Sequence, residues 1–245
     1  MAVDVSVIIP VYNSECSLEE LYRRLTGVLD GTVQNYEIIL VDDASSDRSF
    51  ARAKLLHGRD PRVKVIGLAR NSGQQNAILC GLRFATGEIV ITLDDDLQHP
   101  PEEIPVLLAK IALGYDGVFG VPDHKRHAFY RNLGTLGIDI LLRLIAGKPR
   151  ELKLSSFRAL RKTLVCQIQS ETMDFIYLAP LILKYTRNLT HVTVKHAPRQ
   201  YGRSNYTLQK LVRLCTQLVR YYSKIAEIFP PKINRPQYEV REIHL

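Results

Sequence analysis

The 245-residue chain is poor in cysteine, and its four cysteines are scattered. Cys16, Cys80, Cys166 and Cys215 form no Cys-x-x-Cys pair and have no histidine at zinc-binding spacing. A disulfide framework and a structural zinc site are therefore not expected, and a reducing compartment is. Long apolar runs are missing as well. None reaches the roughly 18 residues that a bilayer-spanning helix needs, so any membrane contact is expected to be peripheral. The strand pattern begins within a few residues of Met1, which leaves no room for a signal peptide and agrees with a cytoplasmic location. Internal repeats, low-complexity segments and long flexible linkers are absent too, which removes solenoids and disordered scaffolds. Basic residues outnumber acidic ones by 33 to 25, a net charge of +8, so polyanionic partners are expected. The basic residues are not interleaved with aromatics in a nucleic-acid module, so nucleic acid is disfavoured against anionic lipid headgroups and phosphorylated substrates.

What is present suits a folded α/β protein: 46% hydrophobic and 24% charged residues, at a length that fits one such domain with or without an appendage. Short β-branched runs at 5–9, 36–41, 63–68, 88–93 and 117–121 alternate with helical patterns at 18–29, 49–56, 74–84 and 102–111. That alternation predicts βαβ units on a mostly parallel central sheet flanked by helices. Ser17 and Glu20 have the spacing of a capping box for the first helix. Further on, 129–146 and 208–229 read as basic amphipathic helices that either lie in a membrane interface or pack on the domain, and 189–194 and 238–245 as short strands.

Ligands in such sheets sit at the carboxyl ends of the strands, and the punctuation there is unusually chemical. The fourth strand runs into Asp94, Asp95 and Asp96, then Gln98, His99 and Pro100. Adjacent carboxylates repel, but hard oxygen ligands suit Mg²⁺ or Mn²⁺, which keep other positions for water and substrate phosphates. Strand alternation predicts that Asp94 and Asp96 project together and Asp95 away. An acidic turn that caps the next helix is the plainer alternative.

Five segments occur in order: Val5 to Asn13 with Pro10 and Tyr12, Ile39 to Asp47 with Asp42 and Asp43, Arg70-Asn71-Ser72-Gly73-Gln74, Asp94 to Pro100, and Tyr201-Gly202-Arg203-Ser204. Together they resemble family 2 glycosyltransferases, and within them the polyprenyl-phosphate branch. The resemblance implies a GT-A type nucleotide-diphospho-sugar transferase fold over residues 1–206, followed by an amphipathic helix at 207–229 and a tail at 230–245. It implies a metal site of Asp94, Asp96 and Gln98 for Mg²⁺ or Mn²⁺. It also implies a nucleotide-sugar pocket of Pro10, Tyr12, Asn13, Glu15, Asp42, Asp43, Arg70, Asn71, Asp94, Asp95, Arg203 and Ser204, with a UDP-sugar as donor. Asp96, Arg199 and Asp174 are the catalytic candidates. Two departures stand out: Asn205 where the family commonly has lysine, and Ser155-Ser156-Phe157-Arg158 where it has Ser-Gly-Phe-Arg or Gly-Asp-Phe-Arg.

The activity expected is metal-dependent, inverting transfer of a sugar to a polyprenyl phosphate at the inner face of the cell membrane. Transfer to a sugar hydroxyl is the alternative; it needs a general base, for which Asp174 is the first candidate and Glu171 the second. A non-catalytic nucleotide-sugar-binding module is a third reading, disfavoured by the intact aspartates. A homo-oligomer is left open.

Overall fold

A computed structural model describes residues 3–123, 129–171, 173, 175–198, 208–223 and 237–245. Its centre is an eight-stranded sheet in the order β7-β5-β6-β4-β1-β2-β3-β8. The strands are β1 (Val5–Val11), β2 (Tyr36–Asp42), β3 (Val63–Leu68), β4 (Ile89–Thr92), β5 (Gly117–Pro122), β6 (Arg158–Arg161), β7 (Leu189–Val194) and β8 (Val240–His244). Six run one way; β6 and β8 are antiparallel to their neighbours. The helices are α1 (Leu18–Leu29), α2 (Ser49–Arg59), α3 (Gln74–Phe84), α4 (Ile104–Ile111), α5 (Phe129–Ala146), α6 (Lys162–Gln169), α7 (Leu178–Tyr185) and α8 (Leu208–Tyr222). A 3₁₀ turn at Pro101–Glu103 leads into α4, so the helix predicted from residue 102 begins as a tighter turn behind Pro100 and Pro101.

Both central strands β1 and β2 are buried along their whole length, as strands covered on two faces must be. Alternate residues divide between two cores. Val5, Val7 and Ile9 pack with Leu18, Leu21 and Leu25 of α1 and Leu107 of α4. Ile8, Ile39 and Ile66 pack with Ile78 and Leu82 of α3, Leu164 of α6 and Leu181 of α7. The predicted capping box does not form: Ser17 has helical backbone angles and turns its hydroxyl to the Ser14 carbonyl at 3.2 Å, while Glu20 pairs with Arg23.

The end of the sheet away from the polar loops is closed by one buried network. Glu37 accepts from Ser6 Oγ at 2.5 Å and from the Thr86 amide at 2.7 Å, and pairs with Lys64 at 2.6 Å. The tail closes the other flank, with β8 antiparallel to β3 and a bulge at Gly67/Leu68. Among the described residues no helix is long and apolar enough to cross a membrane.

Candidate active site

The loops that leave β1, β2, β3 and β4 meet at one end of the sheet and are tied to each other by side chains. Asn13 donates its amide to Ser45 Oγ at 3.0 Å, and its Oδ1 accepts from the Ser46 amide at 2.8 Å. The left-handed backbone at Asn13 (φ 54°) suits a residue type that tolerates it. Glu15 accepts from the Arg48 amide at 3.1 Å and donates its own amide to Asp47. Thus Asn13 and Glu15, expected to line the nucleotide pocket, join the first loop to the second. Pro10 is buried in β1, and the Tyr12 side chain is exposed beside them.

The two aspartates that end β2 have different surroundings. Asp43 accepts from the amides of Ser72 at 2.6 Å and Gly73 at 2.8 Å, so it holds the Arg70-Asn71 loop in place. Gly73 sits at φ 88°, ψ 152°, a conformation that only glycine adopts cheaply, immediately before α3. Arg70 and Asn71 are exposed on the loop so formed. Asp42 accepts from the Ser45 amide at 3.1 Å through Oδ2, whereas its buried Oδ1 has no hydrogen-bond partner among the described residues. Burial pushes the pKa of both carboxyls up, against the hydrogen bonds that favour the charged form.

The three aspartates lie beyond the end of β4 at Thr92, so strand alternation does not set their directions. A turn with Leu97 at φ 59° does, and it still separates Asp95 from its neighbours. Asp95 is turned under the first loop, where it accepts from the Tyr12 amide at 3.1 Å and from the Ser14 hydroxyl. Burial pushes its pKa up to about 6, aided by the charges of Asp94 and Asp96 and opposed by those two hydrogen bonds. Asp94 accepts from Gln74 Nε2 at 2.7 Å and Ser156 Oγ at 2.6 Å. Asp96 accepts from the Gln98 amide at 3.1 Å.

Two histidines that the motif reading left without a role stand beside this group. His99 is buried with Nδ1 at 3.8 Å from Asp94 Oδ2, and its ring meets that of His196 edge-on at 5.2 Å. The Ala197 amide donates to the Gln98 carbonyl at 2.9 Å, which fastens the segment after β7 to the aspartate loop. Burial pushes the pKa of both histidines down, and the nearby aspartates oppose it. No sequence spacing signals this meeting, because His99 and His196 are brought together only by the sheet order.

Among the described residues no group of three or more His, Cys, Asp and Glu side chains is placed to hold a metal. Asp94 and Asp96, with Gln98 two residues on, offer the hard oxygen donors that would hold Mg²⁺ or Mn²⁺ while leaving positions for phosphate and water. Asp174, Arg199, Arg203 and Ser204 lie outside the described residues.

Next to Asp94 is a cavity of about 670 Å³. Gln74 and Ser156, the two side chains that hold Asp94, form part of its wall. Arg143, Lys148, Arg150, Lys153 and Arg158 line it with Leu136, Leu142, Leu152 and Leu154. Asp139, the one acidic side chain among the described lining residues, is already engaged by Arg143 and by Lys148 at 2.8 Å. Arg158 is buried, which lowers its pKa to about 10, so it remains a cation at neutral pH.

A sheet of this order, with four loops and a group of carboxylates gathered at its carboxyl end, has the architecture of a GT-A type transferase fold. Residues 6–167 match the family described as glycosyl transferase family 2, and the chain belongs to that family. It is 38% identical over 216 residues to the undecaprenyl-phosphate 4-deoxy-4-formamido-L-arabinose transferase of Edwardsiella ictaluri (strain 93-146), covering 88% of this chain and 66% of that one. The fold resembles glucosyl-3-phosphoglycerate synthase from Mycobacterium tuberculosis in complex with Mn²⁺, UDP and phosphoglyceric acid, with a TM-score of 0.67 and 20% identity over 94% of this chain and 80% of that one. It also resembles S. aureus TarS 1-349 in complex with UDP-GlcNAc, with a TM-score of 0.58 and 20% identity over 90% and 67% of the two chains.

Proposed function

We propose that this domain transfers one sugar from a nucleoside diphosphate donor, a UDP-sugar, to a polyprenyl phosphate at the inner face of the cell membrane. The observation that carries the acceptor is the cavity beside Asp94, whose described lining sets five cations against one engaged carboxylate and adds a leucine wall. Such a surface suits an amphiphile with an anionic head. The name of the arabinose transferase relative supports the same acceptor class, and the UDP complexes of the fold relatives support the donor.

In the proposed reaction a phosphate oxygen of the acceptor attacks the anomeric carbon of the sugar, and the bond from that carbon to the donor diphosphate breaks with inversion. A phosphomonoester is ionised near neutral pH, so it needs orientation and not a general base. Arg143, Lys148, Arg150 and Lys153 would supply the orientation, and Gln74 and Ser156 would fix Asp94 at the cavity edge. A divalent cation held by Asp94, Asp96 and Gln98 would supply Lewis-acid stabilisation of the departing diphosphate. Transfer to a hydroxyl would require a base, and Glu171 is buried and committed to Lys184 at 2.5 Å and to the Tyr185 hydroxyl.

Steady-state kinetics of the Arg150→Ala/Lys153→Ala double variant test this. The KM for undecaprenyl phosphate is expected to rise roughly 10- to 100-fold, the effect of losing charge-assisted contacts of about 1.5–3 kcal/mol, with the donor KM unchanged. An unchanged acceptor KM, or transfer to simple sugar hydroxyls alone, would overturn the assignment.

A further inference from the structure

The tail strand brings a cation to the donor side of the site. Asp42 of β2 is in register with Gly67 of β3, and Gly67 with Glu242 of β8. Paired residues on neighbouring strands present their side chains to the same face, so a side chain at position 67 would stand beside the Asp42 carboxylate. Glycine leaves that room open. Phe50 and Arg241 take it: a Cβ on Gly67 would lie 2.8 Å from Phe50 Cε2 and 3.3 Å from Arg241 Nη2. The bulge between Gly67 and Leu68, opposite Glu242 and Val240, puts Arg241 at the irregular position of the ladder. Its guanidinium lies over the Phe50 ring at 4.8 Å, a contact that orients a planar cation. The charge of Arg241 also reaches Asp42, where it opposes the effect of burial.

The result is a carboxylate acceptor, Asp42 Oδ1, buried without a hydrogen-bond partner among the described residues, with a guanidinium donor close by on the same face. An acceptor next to a donor matches an imide edge, an N–H beside a carbonyl, as in uracil and guanine. With the ring nitrogen set against Asp42, cytosine and adenine offer a bare nitrogen there and an amino group to Arg241, like against like; they match only in a shifted position that puts the amino group on Asp42. We propose that Arg241, delivered by β8, is a specificity-determining residue of the donor pocket, donating to a nucleobase carbonyl whose neighbouring N–H is accepted by Asp42. This rests on the reading of Asp42 as a nucleobase contact.

Calorimetric titration of UDP, GDP and CDP into the full chain, with Mg²⁺, tests both levels. The unsubstituted protein is expected to bind UDP or GDP at least about tenfold more tightly than CDP, since a mismatched polar group is costly. Arg241→Ala should lose about tenfold in affinity for the preferred nucleotide and narrow its preference over CDP. Arg241→Lys keeps the charge and the strand but not the planar fork, so it should retain the melting temperature and recover part of the affinity. Should Arg241→Ala fail to fold, Arg241→Lys carries the test, and an unchanged ratio of affinities in it overturns the proposal. If Asp42→Ala weakens UDP while both Arg241 variants bind and discriminate normally, Arg241 serves only to pin β8 and the pocket reading survives. If Asp42→Ala also binds UDP normally, the pocket reading itself fails.

Discussion

Asp43, Asp94, Asp95 and Asp96 gather at the carboxyl end of the sheet, and their partners give them different work. Asp43 accepts from two backbone amides and Asp95 from the Tyr12 amide and the Ser14 hydroxyl, so both hold neighbouring loops in place. Asp94 is held by two neutral donors and lies within reach of the buried Arg158 charge, and Asp96 accepts from the Gln98 amide. Asparagine at 96 can still accept that amide but lacks the negative charge that would hold a divalent cation against the departing diphosphate. Asp96→Asn is therefore expected to melt normally and to lose turnover by roughly 10²–10³-fold, the scale of removing one electrostatic stabiliser. Thermal melts and single-turnover rates with and without EDTA check this. Normal turnover in the variant, or full activity of the unsubstituted protein in chelator, would remove Asp96 from the metal-binding group.

At the scale of elements, the strands at 5–9 and 36–41 and the helices at 18–29 and 74–84 were legible because their apolar residues keep one period and end in turn chemistry. β6 was not: four residues, Arg158–Arg161, are too few for a pattern and looked like part of a motif. Nor was α7, whose Leu-Ala-Pro-Leu-Ile-Leu run is apolar all round and carries a proline in its first turn. In the site, the aspartates were legible because they are contiguous. The cavity was not, since its cations come from the end of α5, the following loop and β6, which only packing brings together. The Glu37 network was equally hidden, being built across β1, β2, β3 and the turn before β4. Burial pushes the Glu37 pKa up, but Lys64, Ser6 and Thr86 more than offset it and leave it below the usual 4.5. A depressed folded-state pKa means that the folded protein binds fewer protons than the unfolded chain in that window. Its stabilisation is thus complete above about pH 4.5 and is lost as pH falls through the folded value. Glu37→Gln should cost roughly 1–3 kcal/mol at neutral pH, lowering Tm by about 2–4 °C per kcal/mol, and should flatten the acid side of the stability profile. Calorimetry from pH 3 to 7 reads both; parallel profiles would mean that the carboxylate charge contributes nothing.

For the molecule as a whole, the proposed lipid acceptor raises the question of how a water-exposed site would meet it. Leu136, Ile140 and Leu144 of α5 are spaced four apart on one helix face and are 52%, 46% and 78% exposed. Val212, Arg213 and Arg220 of α8, which packs on α5, are exposed too. Leu136 belongs both to this stripe and to the wall of the cavity beside Asp94. An apolar stripe rimmed by cations, on a chain of net charge +8, is suited to the headgroup layer of an anionic membrane. There a polyprenyl chain could stay in lipid while its phosphate enters the cavity. Liposomes containing anionic lipid are expected to sediment the protein, less at high salt because surface charges are screened, and less for Leu144→Glu. Asp174→Asn should leave transfer to the lipid phosphate nearly unchanged, since an ionised acceptor has no proton to give up. A hydroxyl acceptor predicts the opposite pair of results: no sedimentation with liposomes, and a large loss of kcat in Asp174→Asn. Those two findings together would replace the polyprenyl phosphate with a sugar hydroxyl and make Asp174 the general base.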